Sequence, residues 1–189
     1  MALLRRLYAK LKLTVNESKS AVASVVGRKF LGYAFWYGPA KAVKRRVADK
    51  PLATFKHRIR QLTRRSGGRS MAELIEKLRP YVLGWKAYFG LSQTPSVWRK
   101  LDEWMRHRLR GIQLKHWKTG ATMYRELIAL GVAPWVARKV AANSHCWWRN
   151  SAKSLNGVLT IAYFDRLNGA FDPDHRGIIR VRLDLVLRA

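Results

Sequence analysis

The spacing of apolar positions changes character near the middle of the first third of this chain. Over residues 2–13, Leu3, Leu4, Leu7 and Leu11 recur at helical spacing, and Thr14, Val15 and Asn16 then interrupt the pattern. Residues 20–37 are rich in β-branched and aromatic side chains, with Gly27 and Arg28 where a turn would fall, which predicts two short antiparallel strands. A basic connector punctuated by Pro39 and Pro51 follows. From there the period is helical. Leu52, Phe55, Ile59 and Leu62 form one stripe, with Lys56, Arg58, Arg60, Arg64 and Arg65 largely off it. Ser66-Gly67-Gly68 ends that helix, and Ser70 to Glu73 has the spacing of a capping box. The next apolar face is Leu74, Leu78, Tyr81, Val82 and Trp85, with Pro80 expected to kink or break the helix before Gly90 ends it. Thr94-Pro95 reads as an N-cap and first-turn pair ahead of Val97, Leu101, Trp104 or Met105, and Ile112. Two shorter helices are expected over 121–130 and 134–143, separated by Gly131 and Pro134. The last 20 residues, from Ala170, fit no pattern.

The predicted fold is therefore mostly α (α+β): a short antiparallel β-hairpin followed by a helical bundle. Composition supports a packed chain, because 48% of its 189 residues are hydrophobic. No apolar run approaches the roughly 18 residues of a membrane span, and the opening MALLRRLYAK is too short and charged for a secretory signal. The lone Cys146 excludes an intrachain disulfide framework and a zinc site of several cysteines.

Charge changes the picture most. With 38 Lys+Arg against 11 Asp+Glu, the formal net charge is +27. It is uneven: residues 1–50 carry 12 basic and 2 acidic side chains, and residues 51–120 carry 16 and 4. Such self-repulsion is relieved by a polyanion, and eight tryptophans beside the cations fit RNA, whose unpaired bases stack on rings. Most of those tryptophans are nonetheless expected in the core, as aromatic residues at helical spacing usually are.

Other constellations are weaker. Asp102, Glu103, His107 and His116 could hold a metal, but the spacing is loose and Arg99, Arg106, Arg108 and Arg110 oppose a cation, so i,i+4 pairing along a basic helix is favoured. His145-Cys146 lacks an orienting third group, which favours a buried structural cysteine. Residues 66–70 could cradle a phosphate or simply join two helices, and both readings stay open.

Several of these segments, in this order, resemble group II intron reverse transcriptase/maturases. LKLTVNESKSAV, RKFLGYAFW, Gly68-Arg69-Ser70, Leu83 to Phe89 and Leu101 to Arg110 are similar to the end of the palm and to the maturase-specific thumb, often called domain X. The resemblance implies a palm remnant over 1–50, a maturase thumb over 51–120, a helical extension over 121–169 and an unassigned tail over 170–189. Leu13, Asn16 and Lys19 match the motif whose lysine is proposed to assist nucleotide addition, and Phe30, Leu31, Gly32 and Tyr33 match the primer-grip hairpin. The family's Tyr-x-Asp-Asp motif, which binds Mg²⁺ in the complete polymerase, is expected upstream of residue 1. Before residue 73 the only acids are Glu17 and Asp49, too few for two-metal chemistry, so no catalytic residue is expected in this chain unless an intact palm is supplied to Lys19.

The reading implied is an RNA-binding module that grips structured group II intron RNA, assists splicing or retrohoming, and touches RNA/DNA duplex in the complete protein. The candidate contacts are Lys56, Arg58, Arg60, Arg64, Arg65, Arg69, Arg106, Arg108, Arg110, Lys115 and Lys118. No metal ligand and no membrane contact is expected. The resemblance places such a chain in the bacterial cytoplasm, on the nucleoid or in an organelle. Two alternatives stay open: a polymerase subunit completed by a missing palm and fingers segment, and a remnant or general nucleic-acid-binding protein.

Overall fold

The computed structural model describes residues 2–16, 20, 22–64, 68–152, 155–160 and 163–164. Helix α1 (Ala2–Lys10) precedes a three-stranded antiparallel sheet of β1 (Lys29–Phe30), β2 (Tyr33–Tyr37) and β3 (Val43–Val47), in that spatial order. The chain then runs through α2 (Asp49–Leu62), α3 (Met71–Phe89), α4 (Pro95–His116), α5 (Gly120–Ala129), α6 (Pro134–Ala142) and α7 (Trp147–Asn150). The fold is mostly α with a small sheet, as the apolar pattern predicts.

The hairpin turn lies at Leu31-Gly32, four residues beyond the predicted position. A two-residue hairpin turn that matches strand twist needs positive φ at both central residues. Leu31 has φ 48° and Gly32 φ 80°, whereas at the predicted turn Gly27 alone is left-handed. The supposed connector also contains β3, paired with β2 from Tyr33↔Val47 to Tyr37↔Val43. Consecutive Lys44-Arg45-Arg46 conceals the strand in the sequence, because no apolar alternation survives there.

Two faces bury the helices. Phe55 and Ile59 of α2, Leu74, Ile75, Leu78 and Val82 of α3, and Leu101, Met105, Leu109 and Ile112 of α4 share one core. That core continues through Met123 and Leu127 of α5 and Ala137 and Val140 of α6 to Leu155, Leu159 and Phe164. A smaller cluster of Tyr33, Val47, Phe89 and Trp98 seats the sheet. Trp85 joins the two, with ring centroids 4.4 Å from Phe55, 4.7 Å from Phe89 and 5.2 Å from Trp98.

Helix starts follow their sequence signals unequally. Ser70 forms a complete capping box: Glu73 N–H donates to Ser70 Oγ at 3.2 Å, and Ser70 N–H donates to Glu73 Oε2 at 2.9 Å. Thr94 makes no such bond to α4; its hydroxyl instead meets Ser92 Oγ at 3.0 Å. Pro80 breaks nothing, since α3 runs through it. Proline has no N–H to give the carbonyl of Glu76, and Glu76 and Pro80 are both exposed residues. Helix α1 forms, yet its leucine stripe is not buried: Leu3 is 70% and Leu11 66% exposed. Cys146, expected in the core, is exposed.

Candidate nucleic-acid interface

Helix α2 turns Phe55 and Ile59 inward, which sends Lys56, Arg58 and Arg60 to the outer side. Between Lys50 and Ala72 the chain has no carboxylate at all. Lys56 Nζ lies 6.0 Å and the Arg60 guanidinium carbon 5.4 Å from the ring centroid of Trp104 on α4. A ring beneath a cation restricts its side chain without neutralising it, so the charge remains available to an anion. Among the described residues neither cation has a carboxylate partner. Arg58 Nη1 donates to Gln61 Oε1 at 3.1 Å, which orients it and leaves its charge uncompensated.

Arg108, expected to contact phosphate, has a different first task. Its Nε donates to Thr63 Oγ1, and its Nη2 donates to the carbonyls of Arg60 and Thr63, each at 3.3 Å. It thereby places a cation on the carbonyl end of α2 and fastens α4 beneath the basic face. Arg106 is ion-paired with Asp102 across one helical turn. Burial pushes the Asp102 carboxyl above its ordinary range, with Arg106 opposing that shift.

Arg110 is a correction. It is buried, with Nε donating to the carbonyl of Ser151 at 2.9 Å, so it cannot reach a phosphate. The helix that carries it is covered by α7: a Cβ on Gly111 would stand 3.1 Å from the Trp147 ring. Desolvation, aided by repulsion from Arg106, lowers the pKa of Arg110.

Lys115 and Lys118 are exposed beyond this contact, at the end of α4 and after it. Arg64 and Arg69 are exposed at the two sides of the α2–α3 connection, Arg69 Nη1 donating to the Leu62 carbonyl at 3.4 Å. Lys19, Arg65 and the Ser66-Gly67 part of the suspected phosphate cradle lie outside the described residues. At the described end of that loop, the Ser70 N–H is already taken by the Glu73 carboxylate.

The hairpin residues divide. Phe30 and Leu31 are exposed at the tip, while Tyr33 is buried and donates its hydroxyl to the Tyr88 carbonyl at 2.7 Å. Tyr88 in turn donates to the Leu31 carbonyl at 3.2 Å, and Gly32 packs where a Cβ would meet the Phe89 ring at 3.1 Å.

Several surface pairings were not foreseeable from residue types alone. Lys44 stands 5.8 Å over Trp36, its cross-strand register partner, which is legible only once β3 is known. His107 stacks on Trp148 with centroids 4.0 Å apart, and its Nε2 is 3.0 Å from the Trp148 carbonyl. Both use tryptophans that the sequence assigned mainly to the core; Trp98 and Trp117 are the buried ones.

The complete polymerase implied by the resemblance uses Mg²⁺. Asp49 is exposed and faces Arg46 at 3.6 Å, and among the described residues no three of His, Cys, Asp and Glu gather. These donors do not fit a two-metal site. Among the described residues no helix is long and apolar enough to cross a membrane.

A basic, aromatic-bearing helical module with a small sheet at its head is the class that fold and surface define. Residues 52–129 match the family described as group II intron, maturase-specific domain. The match runs from Leu52 in the first turn of α2 to Ala129 at the end of α5 and contains the cation–Trp104 contact. No curated protein gives a significant match to the chain.

Proposed function

We propose that this chain is an RNA-binding maturase module that holds structured group II intron RNA on the face formed by α2 and α4 and favours its splicing-competent fold. The observation that carries the proposal is the placement of Lys56 and Arg60 over Trp104 without a carboxylate partner, inside the maturase-specific domain. Phosphates gain from such cations by releasing condensed counterions, and pre-positioned side chains lose little freedom on binding. The packed core beneath keeps the spacing of the cations fixed. RNA would perform the transesterification chemistry, and the protein would supply charge compensation and shape.

The test is a salt series with the full chain and a transcribed group II intron RNA. Log K should fall linearly with log salt, with a slope that reflects roughly six to ten phosphates. The double variant K56Q/R60Q should lower that slope by roughly 1 to 2 while the thermal transition stays in place. A flat salt response, or an unchanged slope in the double variant, would overturn the proposal.

A further inference from the structure

Trp135 stands apart from every other tryptophan in the molecule. It lies on α6, beyond the matched maturase-specific domain, and is 71% exposed. Among the described residues no ring stacks on it. The inner side of α6 is occupied by Ala137 and Val140, both buried, so the helix has its core contact without Trp135. On the same outward side, three and four residues on, are Arg138 and Lys139, both exposed. They sit about 4.5 and 6 Å further along the helix axis. From 127 to 164 the sequence holds no Asp or Glu, and Glu126, the nearest acid before it, contacts Arg125 at 3.0 Å.

We propose that Trp135, with Arg138 and Lys139, forms a binding site for single-stranded RNA, the indole stacking on an unpaired base while the two cations take the flanking phosphates. The chemistry favours this occupant over a protein partner. A protein-docking patch is a contiguous apolar surface; here a single ring is bordered by two uncompensated cations. It also favours single strands over duplex. A ring standing on a convex helix reaches a base face only where that face is free, since entering a duplex requires unstacking a step. The site is separate from the α2–α4 face and does not rest on the function proposed for it.

The experiment uses the full chain with two probes, decauridylate and a blunt ten-base-pair RNA duplex, followed by fluorescence anisotropy of end-labelled RNA. W135A should weaken decauridylate binding roughly 5- to 150-fold, the range that loss of one stacked base produces, and leave duplex binding unchanged. W135F should restore most of the affinity, and W135L should not. That ordering separates stacking from packing, because an apolar structural role is served by leucine. R138Q/K139Q should flatten the decauridylate salt slope by roughly 1.4, about 0.7 per phosphate lost. The proposal fails if W135A binds decauridylate like the parent, if both probes weaken equally, or if W135L rescues as well as W135F. It fails equally if W135A changes only the sedimentation mass of the RNA-free chain, which would make a second copy the occupant. K56Q/R60Q forms an independent arm: its outcome bears on the α2–α4 face alone.

Discussion

Arg110 and Arg60 are both arginines in a basic helical segment, and tertiary structure gives them opposite tasks. Arg60 rests over a ring at the surface; Arg110 is buried and holds the Ser151 carbonyl. Removing Arg110 leaves that buried carbonyl unpaired and opens a void, so R110A should cost about 2–3 kcal/mol in urea unfolding. The salt slope of RNA binding should stay at the parent value, which a phosphate contact would not allow. Asp102 makes a second residue-scale test. Its folded pKa is raised by burial, so ionisation costs stability in the native state, and that cost is absent once the carboxyl is protonated. D102N should therefore melt higher than the parent at neutral pH, and the two transitions should converge as pH falls through the carboxylate range. The i,i+4 pairing of Asp102 was legible from residue spacing and is seen with Arg106; the burial of Asp102 and of Arg110 was not. In α4 the repeated arginines differ by their partners: Arg106 pairs with Asp102 one turn away, Arg108 reaches back to Thr63, and Arg110 holds the carbonyl of Ser151, 41 residues on.

Helices were more legible than strands, for reasons that particular elements make plain. The boundaries of α3 follow from Ser70, Glu73 and Gly90, local signals that the structure uses. S70A removes one side of the capping box and should cost about 1 kcal/mol, read as a fall of roughly 2–4 °C in Tm. Pro80 does not end the helix: Leu78 and Val82 on either side of it stay buried in the common core, and that packing outweighs one missing backbone hydrogen bond. The sheet was half legible. Aromatic and β-branched composition marked β2, but the turn depended on two consecutive positive φ angles and β3 on cross-strand pairing with β2. Gly32 is where this matters most. G32A forces a left-handed alanine against the Phe89 ring, whereas G27A has the same sign of φ and open space. Of the two, G32A should lower Tm by the larger amount.

At the scale of the molecule, the folded unit extends past the matched domain. Leu155, Leu159 and Phe164 are buried with Leu109, Ile112 and Leu127 in one core. Asn150 ties α7 to the end of α6 through the carbonyls of Val140, at 3.2 Å, and Asn143, at 2.8 Å. A chain ended after residue 130 would expose that core, and it should show a lower, broader unfolding transition than the full chain. The net charge was readable from composition, as was its concentration in the first two thirds. Which cations face outward required knowledge of the core.

The two tyrosines that exchange hydrogen bonds between the hairpin and the end of α3 couple parts of the chain 55 and 57 residues apart. Gly32 packs on Phe89, and Trp85 packs against both clusters, so the base of the hairpin is joined to α3 by hydrogen bonds and ring contacts together. Phe30 and Leu31, exposed at the tip, are thus carried on a hairpin anchored to the helical core.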